Sequence, residues 1–179
     1  LKREMYFSER LAKDQNIDLE IILPFFKDEF SLCKKGKLDL KQAIIPYLHS
    51  WNWSGSVEDF LEYWFQSERD INLDFLEKIA TFHKKGYLCS LITNNEKYRI
   101  NYIWNTLGIK DHFDYMFASC ELGFEKSESG FWKEVEKILI PIDTKQLLAI
   151  DHEEKNVRCA IDSGLSGLIY TAPSSLDCL

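Results

Sequence analysis

Apolar and polar residues follow two different rhythms along this chain, and the change falls near Gln66. Before it, LKREMYFSERLAK, LEIILPFFKDEFSL and SVEDFLEYWF place apolar residues at helical spacing, and no strand pattern interrupts them. Gly36 marks a turn before LDLKQAIIPYL, where Asp39 is the expected N-cap, and HSWNWSGS is the second loop. Ser56, with Asp59 three residues on, opens the next helix much as a capping box does. The expectation over residues 1–66 is four short helices, with Trp51 and Trp53 read as core aromatics rather than as groups leaning over a substrate.

After Gln66 helical and strand patterns alternate. LDFLEKIATFHKKG predicts a helix stopped by Gly86, YLCSLI a buried strand, and EKYRINYIWNTLG a helix stopped by Gly108. FDYMFA is the next strand, and SGFWKEVEKILI is helical up to Pro141. LLAI is then a short apolar strand closed by Asp151. From Glu154, the residues Val157, Ala160 and Ile161 share a helical face, Gly164 ends that helix, and Ser166–Tyr170 returns as a strand. Alternation of this kind implies parallel pairing with right-handed crossovers. The predicted fold is therefore α/β, a doubly wound parallel sheet over residues 67–179 with an all-helical part over residues 1–66.

Composition narrows the possible partners. A net charge of −7 argues against a nucleic-acid footprint, which needs clustered Lys and Arg; Lys34, Lys35 and Lys37 read as a solvated turn. No apolar run approaches the roughly 20 residues of a membrane span, and IILPFF is interrupted by Pro24. Five cysteines, odd in number and without C-x-x-C, fit reduced thiols in a cytoplasmic protein rather than a disulfide framework or a zinc site. No pattern reports on oligomeric state.

Three strands end in residues with useful chemistry, and in open α/β sheets ligands bind outside the carboxyl ends of the strands. Thr93 closes YLCSLI and is followed by Asn94 and Asn95, which offers a hydroxyl and backbone amides to an anion such as phosphate. Lys126, in the loop after FDYMFA, is placed to hold a phosphate oxygen and neutralise a carboxylate. Asp151 offers oxygen ligands to a hard cation. Each has a plainer reading as a helix cap or a solvated loop charge. It is their recurrence at successive strand ends that makes a site of them.

The order and spacing of these residues resemble the haloacid dehalogenase-like (HAD) hydrolases, most closely the phosphatases with a helical cap near the N-terminus. LITNN resembles the family's second motif, whose Thr or Ser binds the transferring phosphate. GFEKSESGFW is similar to its G-x-x-K-P pattern, with Trp132 as the aromatic residue six after the lysine and Ser127 in place of the proline. IDHEEKNVRCAIDSG resembles the fourth motif at Asp151, Asn156, Val157, Ala160 and Gly164. The resemblance implies a phosphatase acting on a small phosphorylated metabolite through an aspartyl-phosphate intermediate. Thr93, Asn94 and Lys126 would hold phosphate, Lys126 would be catalytic, and Asp151 and His152 would stand at the Mg2+ position.

Two departures qualify that expectation. The family's Asp-x-Asp nucleophile motif does not occur in the chain, so a strand and loop of about 20 residues are expected upstream of Leu1. His152 stands where relatives carry a second carboxylate; an imidazole is a poor magnesium ligand, so Mg2+ binding is expected to be weak or lost unless Glu153 or Glu154 compensates. The alternatives that follow are a catalytically inactive HAD-fold binding or regulatory protein and, with less support, a 2-haloacid dehalogenase. A receiver domain, which lacks a large helical insert, ranks last.

Overall fold

Five helices, not four, account for the first part of the chain in the computed structural model, which describes residues 5–177. They are α1 (Phe7–Gln15), α2 (Leu19–Lys27), α3 (Glu29–Lys34), α4 (Leu40–Leu48) and α5 (Val57–Ser67). The extra break falls at Asp28, which ends α2 and begins α3 with ψ at −79°. Helical periodicity alone could not place it, because the apolar spacing runs on across it. Residues 1–4, where the first helical pattern was expected to begin, and Cys178 lie outside the described residues.

The expected caps are in place. Asp39 accepts from the backbone N–H groups of Lys41 (2.9 Å) and Gln42 (3.2 Å). Ser56 Oγ accepts from Asp59 N (3.1 Å) while Asp59 Oδ2 accepts from Ser56 N (2.9 Å), a reciprocal capping box. These helices close around an aromatic core in which Phe7 stacks on Trp64 with ring centres 4.6 Å apart, and in which Phe25, Phe60 and Trp51 are fully buried. Trp53 lies at its margin, its indole donating to the Ser56 carbonyl (3.0 Å).

By internal contacts, the residues up to Asn72 form one compact unit together with Asn95–Ile109. The latter segment, expected as a single helix, is α7 (Lys97–Asn101) continued by a π-helical turn (Tyr102–Thr106), with Gly108 in the left-handed region (φ 69°). Tyr98 and Tyr102 pack on the aromatic core. Arg99 is buried and donates to the carbonyls of Phe65 (2.9 Å) and Glu68 (2.8 Å), at the C-terminal end of α5.

The second unit, Leu73–Asn94 and Lys110 onward, is the α/β part. It contains α6 (Leu73–Lys84), β1 (Ser90–Thr93), β2 (Tyr115–Ala118), α8 (Ser119–Leu122), α9 (Ser129–Ile138), β3 (Leu148–Asp151), α10 (Glu154–Asp162) and β4 (Ser166–Ile169). β1 pairs with β2 and β3 with β4, both in parallel, with Thr93 opposite Ala118 and Asp151 opposite Ile169. The two ladders are not hydrogen-bonded to each other.

Yet both ladders contribute to one apolar layer, and the residue before β1 joins β3 and β4 in a second. Ile92, Phe117 and Ala149 pack with Phe131, Trp132 and Val135 of α9 and Ala160 of α10. Cys89, Ile150 and Leu168 pack with Ile79 and Phe82 of α6 and with Leu176. Helices thus cover both faces, the doubly wound α/β arrangement that alternation predicts. Gly167 allows α10 to approach β4 closely, since a Cβ there would meet Val157 Cγ1 at 2.7 Å. No helix among the described residues is long and apolar enough to cross a membrane.

Candidate active site

The carboxyl ends of β1 and β3 are tied together by one loop. α8 stops at Gly123, whose φ of 80° suits glycine, and the following residues carry Lys126 back over the strand ends. Lys126 Nζ lies 2.7 Å from Asp151 Oδ2; the Asp151 side chain is buried at 4% exposure and that of Lys126 is partly buried at 12%. The backbone N–H of Lys126 donates to Asn94 Oδ1 (2.9 Å), the residue directly after β1. Its backbone carbonyl accepts from the indole Nε1 of Trp132 in α9 (2.8 Å). Glu125, next to it, is held by its own N–H donating to Glu128 Oε2 (2.8 Å).

Asp151 is surrounded by donors. Oδ2 accepts from Lys126 and from Asn156 Nδ2 (3.1 Å), and Oδ1 accepts from the backbone N–H of Glu153 (2.9 Å). Burial pushes its carboxyl upward, but the charge and hydrogen bond of Lys126, with those two further donors, prevail and hold it below the ordinary carboxylate value. Asn156 is almost fully buried at the start of α10. Its Nδ2 also points to Glu153 Oε2 (3.4 Å), while its Oδ1 has no hydrogen-bond partner.

Of the residues singled out by sequence, Asn94, Lys126 and Asp151 are brought into one cluster. Thr93 occupies the last position of β1, one residue before Asn94, so its backbone lies at that strand end. His152 directly follows Asp151 at the end of β3, but its side chain is 75% exposed, with Nδ1 3.4 Å from Asp151 Oδ1. The supporting bonds from Glu128 and Trp132 were not legible as contacts. The only sequence signal for the first was an acidic residue three positions after Glu125, the spacing of a local side-chain to backbone turn.

The donor set does not suit magnesium. Both Asp151 oxygens are engaged by N–H donors or Lys126, its neighbour is an exposed imidazole, and Glu153 pairs with Lys155 at 3.0 Å. A hard cation needs several free oxygens in octahedral array. Among the described residues no three His, Cys, Asp or Glu side chains are grouped as a metal would require.

Known structures settle the fold. A HAD family enzyme of Bacteroides thetaiotaomicron superposes with a TM-score of 0.79 at 23% identity, over 96% of this chain and 87% of that one. The fold is that of the haloacid dehalogenase-like hydrolases. The same Bacteroides enzyme has been solved in complex with magnesium and inorganic phosphate. A predicted HAD-like hydrolase of Porphyromonas gingivalis matches with a TM-score of 0.71 at 16% identity, over 90% of this chain and 81% of that one. The L-2-haloacid dehalogenase of Xanthobacter autotrophicus, with chloropropionic acid covalently bound, matches at 0.62 and 14%, over 96% and 74%. No protein-family description matches the sequence, and no curated protein does.

Proposed function

We propose that this chain supplies the phosphoryl-binding part of a phosphomonoester hydrolase acting on a small phosphorylated metabolite. The observation that carries the reading is the Lys126–Asp151 pair at the strand ends, where a partly desolvated ammonium is held against a buried carboxylate. Thr93 and the backbone after it would contact the phosphoryl oxygens, and Lys126 would neutralise charge as it develops. The nucleophile would be a carboxylate on a strand outside residues 1–179. That strand would lie between β1 and β3, whose ladders share an apolar layer without pairing with each other. Its oxygen would attack phosphorus as the bond to the leaving oxygen breaks and that oxygen takes up a proton. Water would then cleave the acyl phosphate, releasing inorganic phosphate and regenerating the carboxylate. The helical residues 1–66 would serve as a cap that excludes water and selects substrate.

The test is release of phosphate from an activated aryl phosphate by a polypeptide that includes this strand, with and without added magnesium. Turnover in wild type and its loss in Lys126→Ala are the expected results; equal turnover in both would sink the assignment. The engaged Asp151 oxygens and exposed His152 favour a second reading, a non-catalytic descendant that binds an anion without hydrolysing it. It predicts phosphate binding without release.

A further inference from the structure

Lys126 is gripped by both of its backbone polar groups, and the two side chains that grip it come from different elements. Asn94, after β1, takes the Lys126 N–H on Oδ1 at 2.9 Å, and Trp132, in α9, gives its indole N–H to the Lys126 carbonyl at 2.8 Å. Asn94 Nδ2 adds a long contact to Glu125 Oε2 (3.5 Å), one residue earlier in the loop. Trp132 is 3% exposed and packed edge-on against Phe131 with ring centres 5.2 Å apart, so its indole has little freedom to move.

We infer that Asn94 and Trp132 are positioning residues that clamp the Lys126 peptide, and so fix where its ammonium stands. This inference rests on the phosphoryl-site reading for its purpose, though not for its geometry. It also gives Asn94 a task other than direct contact with phosphate, because its side-chain oxygen is spent on the loop. A long flexible lysine stem holds a point charge well only if its root is fixed, and these two bonds fix it from both sides. An aromatic residue without a ring donor would fill the same apolar space but leave the partly buried Lys126 carbonyl without this partner.

The experiment is amide and indole hydrogen exchange by NMR on the full chain, in wild type, Trp132→Phe and Asn94→Ala, followed by titration with inorganic phosphate. Slow exchange is expected at the Lys126 amide and the Trp132 indole in wild type. Trp132→Phe should speed exchange at the Lys126 amide while leaving the amides of Val135 and its α9 neighbours protected. Asn94→Ala should reciprocally speed exchange at the Trp132 indole. Phosphate affinity should fall by roughly five- to tenfold in either variant, the effect of losing one net hydrogen bond to a site residue. Unchanged exchange at Lys126 in Trp132→Phe, or a general loss of protection along α9, would overturn the clamp. Wild-type protein that shows the protection pattern but binds no phosphate would leave the clamp standing and remove the phosphoryl-site reading.

Discussion

At the scale of single residues, the Lys126–Asp151 pair decides most of what the site can do. Burying two charges costs several kcal/mol each, and the return comes only if every lone pair and proton is used. Here Asp151 accepts from three donors, so the pair is held and not merely tolerated. Removing one partner strands the other. Lys126→Met should therefore cost about 3–5 kcal/mol in urea unfolding, whereas Lys126→Met with Asp151→Asn should recover most of it. Equal losses in the single and double variants would mean that the pair contributes through shape alone. The pH dependence has a definite sign. Asp151 is depressed in the folded state, so its contribution is present above the unfolded carboxylate value, about 3.9, and is lost as pH falls through the lower folded value. The stability gap between wild type and Asp151→Asn should then narrow below about pH 4, as followed by thermal unfolding. The sequence showed that an acid and a lysine stood at strand ends. It did not show that they touch, because that contact joins residues 25 positions apart through a loop with no regular pattern.

At the scale of elements, α7 shows how a helix too short to stand by itself is held. Its five residues fall well below the length at which an isolated helix persists in water, so tertiary contacts must supply the stability. Glu96 caps it by accepting from the N–H groups of Tyr98 (2.8 Å) and Arg99 (2.6 Å), and Arg99 in turn satisfies carbonyls at the end of α5. Glu96 is 1% exposed. Burial raises its carboxyl from 4.5 to about 7, against the pull of those two hydrogen bonds and the Arg99 charge. A carboxyl raised in this way binds its proton more readily folded than unfolded. Its favourable contribution is complete below 4.5 and is lost as pH rises through about 7, a change of about 3 kcal/mol at 1.36 kcal/mol per unit. Thermal midpoints should accordingly fall between pH 5 and pH 8 in wild type and fall less in Glu96→Gln, which keeps one acceptor for the cap. Parallel midpoint curves would show that Glu96 does not titrate in that window. None of this was legible beforehand. EKYRINYIWNTLG reads as an ordinary amphipathic helix, and periodicity names the buried face without naming what buries it; the caps at Asp39 and Ser56 were legible because their partners lie within three residues.

At the scale of the whole molecule, alternation along the chain gives the fold class but not the order of strands, since pairing joins distant segments whose sequences carry no label for one another. The consequence lies in the α/β unit. Each strand of a parallel ladder sends its backbone groups to both sides in turn, so β1 and β3, each in a strand ladder on one side only among the described residues, turn N–H and C=O groups toward the other. Buried backbone groups are almost always paired, and an apolar strand edge left open invites association. Meanwhile Lys126 ties the carboxyl ends of the same two strands together, and helices cover both faces of the ladders. A further parallel strand between β1 and β3 would satisfy both edges and bring its own carboxyl end to Lys126, where the proposed nucleophile is needed. Amide exchange can distinguish this arrangement from a closed sheet. In residues 1–179, the amides of Ser90–Ile92 and Leu148–Asp151 that donate into their own ladders should exchange slowly, while those facing the other way should exchange as loop amides do. A longer polypeptide that carries the intervening strand should protect both sets. Uniform protection along β1 and β3 in the 179-residue chain would mean that the two ladders already pair with each other in solution, and the nucleophile would have to be sought elsewhere.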